Sequence, residues 1–125
     1  MSKPFYITTP IYYPNGEPHL GHAYTTVASD VVARYHRLCG DETFFLTGTD
    51  EHGIKMIKTA AAQNIEPIEL ANQMAAAFEN YWKEIGISND DFIRTTQERH
   101  KSAVQELVRR LVANDDIYLG SYQGW

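Results

Sequence analysis

The sequence is poor in cysteine and in long apolar runs, and each shortage excludes a class of protein. Cys39 is the single cysteine of 125 residues, which excludes an internal disulfide and a cysteine zinc cage. No stretch approaches the ~20 apolar residues of a membrane span. The chain turns polar at Thr8–Pro10, too early for a signal peptide. We therefore expect a reducing, cytoplasmic setting and no membrane partner.

Basic charge is also in short supply, since 11 Lys and Arg stand against 16 Asp and Glu, for a net charge of −5. This balance disfavours a domain held to nucleic acid by bulk positive charge. A small substrate that carries phosphates remains compatible, because it needs only a local site. The apolar fraction of 43% is ordinary for a globular protein, and the length suits one domain. Length alone leaves open whether the chain is a complete protein or one part of a larger one.

The apolar pattern of the first 50 residues predicts a βαβ unit. Phe5–Thr8 is aromatic and β-branched, which is typical of a strand. A helix should follow and end at Gly40, with Asp30 on its polar side. The almost continuous apolar run Thr43–Thr47 predicts a second strand, covered on both faces and ended by Gly48. The predicted apolar stripe of the helix consists of Ala23, Val27, Val31, Tyr35 and Leu38. A crossover of this kind makes the two strands parallel neighbours, so we expect an α/β fold with a parallel sheet and flanking helices.

The remainder of the chain is predicted to be mainly helical. A second helix is expected over residues 54–63 and a third begins at Pro67. The third helix should pack through Leu70, Met74, Ala77, Phe78, Tyr81 and Ile85. Phe92–Arg94 predicts a short strand, and Thr95 with Glu98 forms a candidate capping box for a fourth helix. A further strand is expected to begin at Ile117–Leu119.

Two polar clusters follow the first two predicted strands, at residues 18–22 and 48–53. Ligands of open parallel sheets bind beyond the carboxyl ends of the strands, so both clusters should face one crevice. His19 and His22 stand three residues apart where the first helix opens, and a helix N-terminus favours phosphate. Two imidazoles there can donate hydrogen bonds to phosphate oxygens, and Gly21 lets a flat ring such as adenine approach the backbone. The alternative is that the histidines merely cap the helix.

The second cluster offers Asp50, whose carboxylate suits an ammonium group. The alternative is that Asp50 caps the next helix near Gly53. A metal site of His19, His22 and His52 is a further alternative, although it lacks a fourth ligand. Tyr12 and Tyr13 lie ahead of the histidines on a proline-bracketed loop and should point different ways, one to the core and one to a ligand.

Residues 8–22 resemble the ATP-binding signature region of class I aminoacyl-tRNA synthetases, with its His-x-Gly-His element. Residues 44–53, 91–96 and 120–124 are similar to the methionyl-tRNA synthetase family within that class. The resemblance covers essentially the whole chain. It implies a Rossmann-like sheet, with residues 1–125 forming the amino-terminal part of the nucleotide-binding catalytic domain and ending where the connective insertion begins.

The resemblance also implies a role for each matching residue. His19, Gly21 and His22 would bind ATP and stabilise its α-phosphate, and Asn15 would help to hold the phosphates. Asp50 would bind the methionine ammonium group. The methionine pocket would further be lined by Ile11 and Tyr13, with the backbone of Pro10 close by and His52 near the same crevice. The implied reaction makes methionyl-adenylate and then passes methionine to its tRNA, which binds mostly through regions outside this chain. Mg²⁺ would accompany ATP, and any zinc would belong to the insertion.

The chain departs from the family in lacking the Lys-Met-Ser-Lys-Ser signature, for which Lys55–Lys58 is no substitute. We therefore expect this piece alone to be inactive. One alternative is a non-catalytic, truncated nucleotide-binding module. Another is a synthetase for isoleucine, leucine or valine, but Thr49 stands where those enzymes carry an aromatic residue. An unrelated nucleotidyltransferase would not explain residues 43–53.

Overall fold

The structure is a computed structural model that describes residues 2–124. The chain divides into two compact units, one that ends at Thr95 and one that begins at Thr96. The elements of the first unit are β1 (Pro4–Thr8), α1 (Leu20–Leu38), β2 (Glu42–Thr49), α2 (Ile54–Ala62), α3 (Pro67–Glu84) and β3 (Asp91–Arg94). The second unit carries α4 (Glu98–Ala113). No helix of the described residues is long and apolar enough to cross a membrane.

The three strands form one parallel sheet in the order β1-β2-β3. Pro4 pairs with Glu42 and Thr8 with Leu46, while Leu46 also stands opposite Asp91. The predicted parallel pairing across a helical crossover is confirmed, and so is the α/β fold class. All three strands therefore present their carboxyl ends at one edge of the sheet, where ligands of such sheets bind.

β2 is longer than its apolar run, because Gly48 lies inside the strand and does not end it. A Cβ atom at Gly48 would overlap the carbonyl oxygen of Ile93 on β3. Glycine is required here so that two backbones can approach closely. The prediction that both faces of the strand are covered was also wrong, since Phe44 is 45% exposed.

α1 buries only Ala23 of the predicted apolar stripe. Val31, Tyr35 and Leu38 of the expected apolar stripe are exposed, whereas Asp30 is buried. The other buried residues of α1 are the small ones Ala23, Thr26 and Ala33. Small side chains let the helix lie close to the sheet, and this close packing outweighs the apolar periodicity.

Burial of Asp30 is possible because its carboxylate is fully partnered. It accepts hydrogen bonds from the Ser88 backbone N–H at 2.8 Å, from the Ser88 hydroxyl and from Arg34 Nε at 2.6 Å. Burial alone raises the pKa of Asp30, but the hydrogen bonds from Ser88 and Arg34 outweigh it and hold the pKa below its ordinary value. α1 is thereby tied to the loop ahead of β3.

α3 begins at Pro67, as predicted, and contributes to both apolar clusters of the first unit. Its Phe78 and Trp82 pack with Tyr12 and with Ala23 of α1. Leu70 and Ala71 of α3 pack with Met56 and Ala60 of α2 in the second cluster. Leu70 and Phe78 therefore behave as the predicted stripe requires, whereas Ile85 is exposed.

The second unit corrects two expectations. α4 is capped by Gln97, so the predicted Thr95–Glu98 capping box was wrong. The Thr95 hydroxyl instead accepts a hydrogen bond from the Glu51 backbone N–H at 2.9 Å. Residues 117–119 form no strand in the structure, and Leu119 is fully exposed. Between Glu98 and Ala113 no side chain is buried.

Candidate active site

The loop between β1 and α1 is held against the carboxyl end of β2 by backbone hydrogen bonds. The Tyr12 N–H donates to the Gly48 carbonyl at 3.0 Å, and the Asp50 N–H donates to the Tyr12 carbonyl at 2.8 Å. Tyr12 is 7% exposed and Tyr13 is 59% exposed. The prediction that the two tyrosines point different ways is confirmed. Backbone alternation along this extended segment therefore sends Tyr12 to the core and Tyr13 to the surface of the crevice.

Tyr12 links this loop to the opening of α1. Its hydroxyl lies 2.8 Å from Thr26 Oγ1, and Thr26 Oγ1 donates to the carbonyl oxygen of His22 at 3.0 Å. The ring centroids of Tyr12 and His22 are 4.8 Å apart, and Phe78 packs against both rings. The His22 ring is thus held from behind by buried aromatic side chains.

His19 and His22 form a reciprocal cap at the N-terminus of α1. Nδ1 of His19 accepts from the Gly21 N–H at 3.1 Å, and Nδ1 of His22 accepts from the His19 N–H at 3.2 Å. A nitrogen that accepts carries no proton, so each neutral ring carries its proton on Nε2. The capping interpretation is confirmed, and capping also leaves both Nε2–H groups as donors to a ligand.

The surroundings of His22 favour its neutral ring. The two ring centroids are 3.8 Å apart and nearly parallel. Burial, and next the neighbouring His19, lower the pKa of His22 below its ordinary value. Gly21 is exposed, and a Cβ atom there would approach His19 Cε1 to 3.0 Å, so glycine lets the His19 ring fold back over the helix end.

A cavity of about 320 Å³ opens at this helix end. It is lined by both histidines together with Asn15 and Ile11. Tyr12, Tyr13, Gly16 and Glu17 complete the lining. A helix N-terminus with two imidazole donors and an amide is suited to bind an anion such as phosphate.

A second cavity of about 570 Å³ lies beside the end of β2 and shares Tyr13 and Asn15 with the first. Asp50 and His52 line it, together with residues 53–56 at the start of α2. The two clusters that sequence alone placed at one crevice therefore line adjoining cavities. Pro10 and Gly21 line neither, and the Pro10 carbonyl accepts from the Thr9 hydroxyl at 2.8 Å.

Asp50 does not cap α2, so that alternative was wrong. The N-cap of α2 is Gly53, with a φ of 113° and without a side-chain cap. The Asp50 side chain is half-buried at the cavity wall, available to a cationic ligand group. Among residues 2–124, no three His, Cys, Asp or Glu side chains are grouped as a metal site, and this includes His19, His22 and His52.

Sequence patterns did not reveal the buried carboxylate of Glu51, directly next to Asp50. Arg94 Nε lies 2.6 Å from Glu51 Oε1, although the two residues are 43 positions apart. No local spacing links positions so far apart. The one available signal was the position of Glu51 at the carboxyl end of a buried strand.

The chain was compared with known protein families, sequences and structures. The family model described as tRNA synthetases class I (M) matches residues 5–125. The methionine–tRNA ligase of Listeria monocytogenes serovar 1/2a (strain EGD-e) is 55% identical over 121 residues, which are 97% of this chain and 18% of the relative. The methionine–tRNA ligase of Rickettsia bellii is 55% identical over 125 residues, which are 100% of this chain and 25% of the relative.

The Mycobacterium tuberculosis methionyl-tRNA synthetase, solved in complex with methionyl-adenylate, superposes with a TM-score of 0.94 and 48% identity. The superposition covers 98% of this chain and 24% of that one. The chain thus spans a quarter or less of the length of these relatives. The matching family model and these relatives are those of the methionine enzyme. On this evidence the chain belongs to the methionyl-tRNA synthetase family of class I tRNA synthetases.

Proposed function

We propose that the chain forms the ATP- and methionine-binding part of a methionine–tRNA ligase. The observation that carries the proposal is the pair of adjoining cavities, one at the N-terminus of α1 and one beside Asp50. Methionyl-adenylate contains an amino acid and a nucleotide joined through one phosphate, so it needs two adjoining subsites of different chemistry. The related structure from Mycobacterium tuberculosis holds that compound.

The histidines would act on the phosphate. A carboxylate oxygen of methionine attacks the α-phosphorus of ATP, a new O–P bond forms, and pyrophosphate leaves with the electrons of the broken P–O bond. The Nε2–H groups of His19 and His22 would donate to the α-phosphate oxygens as negative charge builds on them. Asn15 would hold the phosphates, and the exposed backbone at Gly21 would carry the flat adenine ring.

The second cavity would hold methionine. The Asp50 carboxylate would accept hydrogen bonds from the ammonium group. Tyr13 lines both cavities and would contact the amino acid at their junction. Ile11 lines the first cavity and Pro10 lines neither, so both would contact methionine only at the edge of this pocket, together with parts outside this chain. His52 lines the same cavity as Asp50.

Other parts of the reaction would involve groups outside this chain. Mg²⁺ would arrive with ATP and be held by phosphates and water, since the described residues offer no protein cage. Zinc, where present, would belong to the connective insertion. The methionyl group of the adenylate would be transferred to tRNA with release of AMP, and the tRNA would be bound mostly by other regions. Residues 1–125 would then be the amino-terminal part of the catalytic domain, inactive alone, and the exposed thiol of Cys39 suits the cytoplasm.

The test uses a full-length enzyme in which this chain replaces the matching 121 residues of the Bacillus subtilis methionine–tRNA ligase, to which it is 55% identical. His22→Ala should lower kcat of methionine-dependent ATP–pyrophosphate exchange by about 10²-fold, because one transition-state donor is lost. His36→Ala is the matched control, since His36 lies on the same helix and stacks on Phe5. Equal rates for the two variants would exclude the role of His22.

Asp50→Asn in the same enzyme should raise the KM for methionine at least about tenfold, since a charged acceptor is replaced by a neutral one. The KM for ATP should stay close to that of the unmodified chimaera. An unchanged KM for methionine would remove Asp50 from the ammonium site, and a chimaera without exchange activity would refute the proposed function of the chain.

A further inference from the structure

The residues on either side of Asp50 are both buried and hydrogen-bonded. Thr49 is fully buried, and its carbonyl accepts from the Thr95 N–H at 3.3 Å. The Glu51 N–H donates to Thr95 Oγ1 at 2.9 Å, and the Asp50 N–H itself donates to the Tyr12 carbonyl. The backbone around Asp50 is thus held by the end of β3 on one side and by the β1–α1 loop on the other.

The Glu51 side chain is the centre of this arrangement. Its carboxylate has no solvent exposure and accepts from Arg94 Nε at 2.6 Å and Nη2 at 3.1 Å, the bidentate geometry of a strong ion pair. The Thr49 hydroxyl donates to the same carboxylate at 2.8 Å. Arg94 Nη2 also donates to Asn72 Oδ1 on α3 at 2.7 Å. One side chain therefore ties the loop after β2 to β3 and, through Arg94, to α3.

Stability alone does not account for a buried ion pair at this position. Removing two charges from water offsets most of their attraction, and apolar side chains of similar volume often stabilise as well or better. What the pair supplies is a fixed geometry, since a bidentate contact between a fully buried carboxylate and a half-buried guanidinium allows little rotation. The residue whose geometry it fixes is Asp50, one position along the chain at the wall of the second cavity.

We propose that Glu51 and Arg94 are positioning residues that hold the Asp50 carboxylate toward the methionine ammonium group and thereby set the affinity for methionine. This inference rests on the proposed function of Asp50. Neither Glu51 nor Arg94 lines the cavity that contains Asp50, so neither contacts the amino acid there. Loss of the pair should weaken the binding of methionine more than it slows the chemical step.

The test is Glu51→Gln in the full-length chimaera described above. Glutamine keeps the size of the side chain but removes its charge, so the KM for methionine should rise about tenfold through misplacement of Asp50. The kcat and the KM for ATP should stay within about twofold of the unmodified enzyme. Arg94→Lys keeps the charge but contacts one oxygen instead of two, so it should give a smaller rise in the same KM.

The matched control is Asp30→Asn, which removes another buried carboxylate from a hydrogen-bonded ion pair, at a residue that lines neither cavity. It should lower the Tm and leave the KM for methionine within about twofold. If Glu51→Gln fails to fold, the KM for methionine of Arg94→Lys tests the inference in its place. A fall in Tm with an unchanged KM for methionine would show a merely structural role and overturn the inference. Because Asp50→Asn is measured beside these variants, a KM that responds to Asp50 but not to Glu51 refutes the positioning alone.

Discussion

The two ends of the three-stranded sheet differ in the kinds of side chain that are buried and exposed. At the carboxyl end five polar side chains are buried, namely Thr9, Thr47, Thr49, Glu51 and Thr95. At the amino end Tyr6 and Phe44 stack with ring centroids 6.0 Å apart, yet both are exposed. Polar groups are thus inside at one end, and aromatic rings are outside at the other.

The difference lies in hydrogen bonding. The hydroxyls of Thr9 and Thr47 lie 2.7 Å apart, and Glu51 is held by Thr49 and Arg94. A buried polar group is tolerated when it is satisfied, and a satisfied network rigidifies its surroundings. The amino end instead carries the half-buried pair of His36 and Asp41, where the hydrogen bond from His36 lowers the pKa of Asp41. The end of the sheet with the buried polar network is the end that carries the candidate site.

The largest effect is expected at the carboxyl end, for Gly48→Ala. The added Cβ atom would overlap the Ile93 carbonyl, which forces β2 and β3 apart and lowers the free energy of unfolding by about 3 kcal/mol or more. Urea unfolding of the chain measures the change. Gly16→Ala is the control, since nothing lies within 4 Å of a Cβ atom there. Similar losses for both variants would contradict the close approach of β2 and β3.

A smaller loss of stability is expected when the pH is lowered. Because the pKa of His22 is lowered in the folded chain, the unfolded chain binds a proton that the folded chain does not. The stability that depends on neutral His22 is complete above pH 6.5 and is lost as the pH falls from 6.5 through the lower, folded pKa.

The comparison variant is His22→Gln, which keeps an acceptor for the cap but does not titrate. Between pH 7.5 and 5 the wild type should lose stability relative to this variant, because only the unfolded wild type gains a proton at position 22 in this range. Thermal unfolding at several pH values measures the difference. If the difference in Tm between the wild type and His22→Gln stays constant across this range, stability does not depend on a neutral His22.

The smallest effect is expected at the amino end, for Phe44→Thr. Phe44 is nearly half exposed and threonine also favours strands, so the free energy of unfolding should change by no more than about 0.5 kcal/mol. Urea unfolding of this variant and of Thr47→Val compares the two ends of the sheet. Thr47→Val should lose more stability, because it leaves the Thr9 hydroxyl without its buried partner. A larger loss for Phe44→Thr than for Thr47→Val would invert the contrast between the two ends.

Local patterns predicted most of the elements correctly. β1, α1, β2, α2, α3 and β3 all lie where strand propensity, helical period and Pro67 indicated. Two of the errors have tertiary contact as their cause. The exposed stripe of α1 follows from close packing of its small residues and from the contacts of Asp30, and Thr95 caps no helix because it binds Glu51.

The candidate site also contains residues that local sequence indicated and residues that only the structure revealed. His19, His22 and Asp50 were recognised from spacing, since each lies directly beyond a strand or at a helix start. Their surroundings were not, because Tyr12, Glu51 and Arg94 act through partners far away in the chain. Hydrogen-bond acceptance by Nδ1 also selects the Nε2–H form of both rings, which depends on coordinates and not on residue type.

The amino-acid sequence by itself determined the α/β class, the parallel pairing of β1 and β2, the family and the candidate site residues. These follow from periodicity, from turn residues and from short motifs, all of which are local. Only the tertiary structure decided which face of α1 is buried, why Gly48 lies within a strand and what holds Asp50 in place. Those features depend on contacts between segments distant in the chain, and such contacts form only when the chain has folded.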